Sequence, residues 1–150
     1  MSSSRLIRAR WPARLIVAAI VWLLAAAAPS ADPIAVIVNQ KNLVQQLTVG
    51  QVAAIYRGED LHWPNGERVK IVNREVSAPV RAEFYRKVLN AKPDQPYYHL
   101  NTPVPIQNLI ERSDEGVMRF VGAIEGAIGY VKLSKLNGGE PGIKVILIIE

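Results

Sequence analysis

The stretch VKIVNREVSAPVRAEFYRKVL, residues 69–89, contains the transition that decides the fold. Its first four residues, Val69–Val72, are mostly β-branched and predict a buried strand. Pro79 suits the first turn of a helix, where a backbone N–H is not needed, and the apolar periodicity predicts that this helix continues to Leu89. A strand that passes through a short loop into a helix is the repeating unit of an α/β fold.

The sequence before this stretch contains a second strand and a second helix. Ile34–Val38 is apolar at every position, which predicts a strand buried on both faces. Thr48 and Gln51 have the spacing of a capping box, so a helix is predicted from Val49 to Tyr56. Gly58 is predicted to end that helix.

The sequence after Leu89 predicts further elements of both kinds. Asn90–Gln107 contains four prolines and predicts an irregular connection. Ser113 is a suitable N-cap for a helix that ends near Gly122. Ala127–Val131 and Ile143–Ile149 are predicted strands, and the last of these should be paired or covered because an open apolar edge promotes aggregation.

Residues 1–31 are predicted to be a signal peptide, which leaves residues 32–150 as one domain. Four arginines precede Leu15–Ala28, an apolar run of roughly 14 residues that is shorter than a membrane-spanning helix. Cleavage after Ser30 or Ala31 fits the small residues there, and an uncleaved anchor stays open as an alternative. We therefore expect a periplasmic or secreted protein that contacts a membrane only through an uncleaved leader.

Charge and composition exclude several classes of function. The chain has 18 basic and 13 acidic side chains, but four arginines and no acids lie in residues 1–31, so the remainder is nearly neutral and nucleic-acid binding is not expected. The absence of cysteine excludes thiol catalysis. His62 and His99 lack metal-ligand spacing, and no His and acid accompany Ser77 in a recognisable order. We expect no cofactor, no metal and no enzymatic activity.

The loop between the central strand and the helix at Pro79 is the best candidate for a binding site. Backbone N–H groups at a helix start attract anions, and polar residues at a strand end often line ligand sites. The predicted anion-binding residues are Asn73, Arg74, Ser77, Ala78, Val80 and Arg81. The alternatives are a solvated helix arginine at position 81 and an ordinary turn at positions 73 and 74. The hydroxyl of Tyr130 either reaches the same cleft or belongs to a core residue.

Five segments, in this order, resemble the substrate-binding proteins of phosphate ABC transporters. They are Ile34–Asn39, Leu47–Gly58, Trp63 with Val69–Arg74, Pro79–Leu89 and Gly126–Val131. The resemblance implies a single lobe of the periplasmic-binding-protein type, with a mixed, mostly parallel sheet and helices on both faces. A complete binding protein of this kind has two lobes, so it also implies a partner chain or a homodimer that completes the cleft.

The same resemblance implies phosphate or a similar small oxyanion as the ligand. The family carries a Gly-Ser-Gly-Thr type of stretch before an arginine, and its serine and threonine fall on Ala78 and Val80 when the chains are aligned at Arg81. Ser77 takes the place of the family's glycine. We therefore expect an exported solute-binding-like protein related to phosphate ABC transport. The alternative is a ligand-free interaction or sensor module of the cell envelope.

Overall fold

Five strands and three α-helices make up residues 32–150, the part of the chain that the computed structural model describes. The strands are β1 (Ile34–Asn39), β2 (Lys70–Arg74), β3 (Leu109–Glu111), β4 (Ala127–Lys132) and β5 (Ile143–Ile149). The helices are α1 (Val49–Tyr56), α2 (Pro79–Phe84) and α3 (Asp114–Ala123), with a π-helical segment at Tyr85–Leu89 and a 3-10 turn at Leu133–Lys135. The predicted signal peptide lies outside the described residues.

The strands form one mixed sheet in the order β3-β2-β4-β1-β5. β2 is parallel to both β3 and β4, whereas β1 is antiparallel to both β4 and β5. Four strands therefore point one way and β1 points the other way. This confirms the predicted mixed sheet: most strands run in one direction, but two of the four pairings are parallel and two are antiparallel.

Helices cover both faces of the sheet, as predicted. Ile34, Val36 and Val38 of β1 pack into the core formed with α1, α2 and the π-helical segment. Ala35 and Ile37 point to the opposite face, where they pack with α3. All five side chains are fully buried, so the prediction of a strand buried on both faces is confirmed.

The first helix has the boundaries and the caps that the sequence predicts. Thr48 Oγ1 accepts from the Gln51 N–H at 3.2 Å, and Gln51 Oε1 accepts from the Thr48 N–H at 2.8 Å. The helix ends before Gly58, which has φ +76°. A Cβ at that position would lie 2.3 Å from Ile106 Cδ1, so both the backbone conformation and the packing favour glycine.

The second helix has the predicted extent, but its second half has a different geometry. Pro79 is the first residue of α2, and the helical path ends after Leu89 at Asn90, which has φ +49°. The Asn90 N–H donates to the Tyr85 carbonyl, five residues earlier, which is the π-helical spacing. The wider turn leaves Tyr85, Val88 and Leu89 all buried against the same core.

β3 is the one strand that the sequence did not predict. Its three residues follow the irregular connection, which has no helix or named strand between Asn90 and Gln107, in agreement with the prediction. β3 and β5 are the two edges of the sheet, so β5 is paired with β1 along one side. No helix in residues 32–150 combines the length and the apolarity needed to cross a bilayer.

Candidate functional site

The bend between β2 and α2 is a tight turn whose backbone donors are partly used within the chain. The Ala78 N–H donates to the Glu75 carbonyl at 3.0 Å, and the Arg81 N–H donates to the Ala78 carbonyl at 3.0 Å. Ser77 is exposed, whereas the side chains of Ala78 and Val80 are buried and offer no polar group. Among the described residues, the amides of Ser77 and Val80 have no acceptor. The bend therefore leaves backbone donors and one hydroxyl without a partner among the described residues.

Arg81 is a buried cation with a fixed orientation. Its residue exposure is 7%. Nε donates to the Pro93 carbonyl at 2.8 Å, Nη1 donates to the Arg74 carbonyl at 2.7 Å, and the guanidinium lies 4.7 Å from the centre of the Tyr85 ring. Within residues 32–150 no carboxylate forms an ion pair with Arg81, and its Nη2 has no hydrogen-bond acceptor. Among the described residues, its positive charge is thus balanced by carbonyl dipoles and an aromatic face rather than by a carboxylate.

Arg74 has a different environment, because two carboxylates neutralise its charge. Its Nη1 donates to Asp114 at the start of α3, and its Nε donates to Glu75 Oε2 at 3.1 Å. The other oxygen of Asp114 accepts from the Lys132 N–H at 3.2 Å. The hydrogen bond from Arg74 lowers the pKa of Glu75. Arg74 therefore connects the bend to α3 and β4, and it has little charge left for an anion.

Asn73 lies in a buried network rather than at an open cleft. It is 1% exposed, its Nδ2 donates to the Tyr85 hydroxyl at 2.9 Å, and its Oδ1 accepts from the Arg74 N–H at 2.9 Å. The same Oδ1 accepts from the Tyr130 hydroxyl, which answers the question left open by the sequence: Tyr130 is a core residue. Asn73 thus positions the end of β2 and the aromatic core beneath the bend.

Of the six predicted residues, the structure brings Ser77, Ala78, Val80 and Arg81 together at the bend. Arg74 lies beside them with its charge neutralised, and Asn73 lies below them in the core. The sequence alone does not identify Asp114 or Tyr85 as part of this environment. Asp114 was recognisable only as an acid in the first turn of a helix, where it is favourable in any case. No group of three or more potential metal ligands is found among residues 32–150.

The buried tyrosines of this region should make the protein less stable in alkaline solution. Burial raises the pKa of Tyr56, Tyr85 and Tyr130. Unfolded tyrosines ionise at about pH 10, so above that pH the unfolded state loses protons that the folded state keeps. Above that pH the free energy of unfolding should fall by up to about 1.4 kcal/mol per pH unit for each tyrosine that stays protonated in the folded state, with Tyr56 and Tyr130 contributing most and Tyr85 less.

Urea unfolding at a series of pH values, with phenolate absorbance recorded in parallel, measures this effect. The Tyr130→Phe variant should show a shallower decline than the unmodified chain. Ionisation of all tyrosines near pH 10 in a protein that stays folded would contradict the prediction.

Solved structures with the same fold are found among phosphate-transport proteins. An ABC-type phosphate transport receptor from Vibrio cholerae matches with a TM-score of 0.60 and 23% identity, over 77% of this chain and 46% of that chain. A putative phosphate ABC transporter substrate-binding protein from Clostridium perfringens, solved with bound phosphate, matches with a TM-score of 0.61 and 23% identity. The match covers 77% of this chain and 44% of that chain. PstS from Borrelia burgdorferi gives a TM-score of 0.62 at 19% identity, over 77% of this chain and 46% of that chain.

These matches confirm, at the level of the fold, the resemblance to substrate-binding proteins of phosphate ABC transporters. The chain spans less than half the length of each of these three structures. No protein-family profile matches the sequence, and no curated protein is significantly similar to it.

Proposed function

We propose that this chain is a solute-binding lobe, related to phosphate ABC transport, that binds phosphate or a similar small oxyanion at the bend between β2 and α2. The observation that carries the proposal is the environment of Arg81, a buried guanidinium that two backbone carbonyls hold in place and that has no carboxylate partner in the described chain. A guanidinium forms strong, paired hydrogen bonds with oxyanions, and an anion here would supply the missing counter-charge.

The remaining donors of the bend support the same proposal. The amides of Ser77 and Val80 and the exposed Ser77 hydroxyl can add hydrogen bonds to an anion held by Arg81. The hydroxyls that the family resemblance implies at positions 78 and 80 are absent, so we expect weak binding by this lobe alone. A partner chain or a second copy would complete the cleft, because one lobe leaves most of a small ligand in contact with water.

Phosphate should raise the melting temperature of the full chain, and the increase should depend on Arg81. At a phosphate concentration about ten times the dissociation constant, binding adds about 1.4 kcal/mol to the stability, which corresponds to several degrees in a domain of this size. Arg81→Met keeps the apolar stem and removes the guanidinium, and Ser77→Ala removes one hydroxyl. We expect the phosphate-dependent increase to vanish in Arg81→Met and to shrink in Ser77→Ala.

The matched control is Arg86→Gln, which removes an exposed arginine from the same helical path. It should leave the phosphate-dependent increase unchanged. Arg81→Met also lowers the melting temperature itself, because two carbonyls lose their donor. The comparison is therefore made between melts of each variant with and without phosphate. An equal increase in all variants, or none in the unmodified chain, would show that the anion does not bind at this bend.

A second candidate function is a ligand-free interaction or sensor module. The irregular segment before β3 exposes large apolar side chains, with Leu100 at 83% exposure and Tyr98 and Val104 also exposed, and β3 itself exposes Leu109 and Ile110. Exposed apolar residues in one region are typical of contact surfaces. Sedimentation analysis of the full chain, alone and with envelope extract, tests this candidate, and a monomer that forms no complex would count against it.

We also propose that the protein is exported, on the basis of the predicted signal peptide in residues 1–31. Cell fractionation and N-terminal sequencing of the purified protein test this proposal. Retention in the cytoplasm with an intact N-terminus would refute it.

A further inference from the structure

A cleft lies at the amino end of β2, the opposite end of that strand from the bend at Arg74–Pro79. Its volume is about 510 Å³. Arg68 and Lys70 line it from the start of β2, His99 from the irregular segment, Asn108 from the residue before β3, and Phe120 from α3. This volume is within the range of clefts that hold small organic molecules.

The charged side chains around the cleft, Arg68 and Lys70, are both positive. Arg68 and Lys70 are exposed and His99 is half-buried, and no Asp or Glu is among the lining residues. Neither Arg68 nor Lys70 forms an ion pair within residues 32–150. A negatively charged occupant would therefore be attracted by the positive charges of Arg68 and Lys70, which no carboxylate of the described residues neutralises.

The rest of the lining is mainly apolar. Ile71, Ile106, Leu109 and Phe120 contribute aliphatic and aromatic surface to the same cleft. An inorganic anion would leave this surface in contact with water, whereas an organic anion with a ring or a short chain would cover it.

Asn108 indicates that the occupant also carries a hydrogen-bond donor, in addition to a negative charge and an apolar body. Its Oδ1 is the only buried side-chain polar atom in the described part of the chain that has no hydrogen-bond partner. A buried acceptor without a donor is costly, and structures rarely keep one unless something else satisfies it. The oxygen is closed to water in this conformation, so the Asn108 side chain would turn toward the cleft that it lines before a hydroxyl or amine on a bound molecule donates to it.

We propose that this cleft is a binding site for a small organic carboxylate that also carries an apolar body and a hydrogen-bond donor. The carboxylate faces Arg68 and Lys70, with a ring N–H of His99 as a further donor, the apolar body covers the aliphatic and aromatic lining, and the donor pairs with Asn108. The site is separate from the bend at Arg81 and does not depend on the function proposed there.

The experiment titrates the full chain with three related probes and follows binding by calorimetry. The probe 4-hydroxybenzoate carries all three features, benzoate lacks the donor, and 4-hydroxybenzyl alcohol lacks the negative charge. We expect 4-hydroxybenzoate to bind best and each of the others to bind about tenfold more weakly, the usual effect of losing one hydrogen bond or one charge contact to a charged group. Equal binding of all three, or saturable binding of none, would overturn the proposal.

Two variants and one control locate the binding. The double variant Arg68→Gln, Lys70→Gln should weaken 4-hydroxybenzoate binding by about tenfold or more. Asn108→Leu should abolish the preference for 4-hydroxybenzoate over benzoate, and retention of that preference would overturn the role of Asn108. Arg86→Gln, which changes an exposed charge outside the cleft, should have no effect. Because the substituted cations are exposed, the double variant should fold as the unmodified chain does.

Inorganic phosphate separates this proposal from the one at Arg81. Its effect on the melting temperature should be the same in Asn108→Leu and in the unmodified chain. If phosphate raises the melting temperature but 4-hydroxybenzoate does not bind, the proposed carboxylate site is wrong and the proposed oxyanion site at Arg81 is supported. If 4-hydroxybenzoate binds but phosphate has no effect, the oxyanion site is wrong and the carboxylate site is supported.

Discussion

Replacing Asp114 by alanine is expected to lower the free energy of unfolding by about 3 kcal/mol, because removing one partner of a buried ion pair leaves the other charge uncompensated. The side chain of Arg74 is 11% exposed and that of Asp114 is 7% exposed, so water cannot replace the lost carboxylate. Glu75 still contacts Arg74 in the variant, which keeps the expected loss at the lower end of the range for buried pairs. The backbone N–H of Lys132 also loses its acceptor.

Urea unfolding of the full chain measures this loss, and Glu115→Ala provides the control. Glu115 is the next residue in the first turn of α3 and is exposed, so its replacement removes a similar charge near the helix start without breaking a buried pair. We expect Glu115→Ala to cost less than about 1 kcal/mol. Similar losses in the two variants would mean that the helix dipole, rather than the Arg74 pair, accounts for the effect of Asp114.

Replacing Phe84 by alanine should lower the free energy of unfolding by about 3–5 kcal/mol, the usual cost of removing a buried phenyl ring. Phe84 is fully buried, stacks on the Tyr130 ring with 3.9 Å between centroids, and meets the Tyr56 ring edge-on at 4.8 Å. Both contacts are lost together with the ring. Small domains have stabilities of about 5–15 kcal/mol, so this variant should unfold at a much lower urea concentration.

Two further variants test whether the loss depends on burial and on ring contacts. Phe84→Leu restores part of the volume without the ring and should fall between the unmodified chain and Phe84→Ala. Phe120→Ala removes the chain's other phenylalanine, which is only partly buried, and should cost less than Phe84→Ala. A cost for Phe84→Ala no larger than that of Phe120→Ala would contradict the prediction that burial and the two ring contacts of Phe84 determine the loss.

The elements that the sequence predicted well are those whose signals are local. Thr48, Gln51 and Gly58 define α1 because capping involves residues within one turn of each other. Pro79 and Ser113 mark the starts of α2 and α3 for the same reason. β3 was missed because its three residues are too few to show a periodicity, and it becomes a strand through its parallel pairing with β2.

The candidate site was predicted only in part, because most of its interactions join residues that are far apart in the chain. The sequence indicates that Arg81 stands near a helix start, but not that the Pro93 and Arg74 carbonyls hold its guanidinium. It likewise shows Asn73 at a strand end, but not that the side chain of Asn73 forms hydrogen bonds with the hydroxyls of Tyr85 and Tyr130. Whether a polar group is free for a ligand depends on tertiary contacts, which sequence spacing alone does not reveal.

The pairing of β1 with the last two strands of the chain affects how the chain folds. Ile34 pairs with Lys132 on one side and with Ile149 on the other. β1 therefore has no strand to pair with until β4 and β5 have been synthesised. During synthesis this apolar strand leaves the ribosome long before its partners do, and contacts of such wide sequence separation slow folding. Folding of this sheet should therefore follow the completion of β5 and should fail in chains that stop short of it.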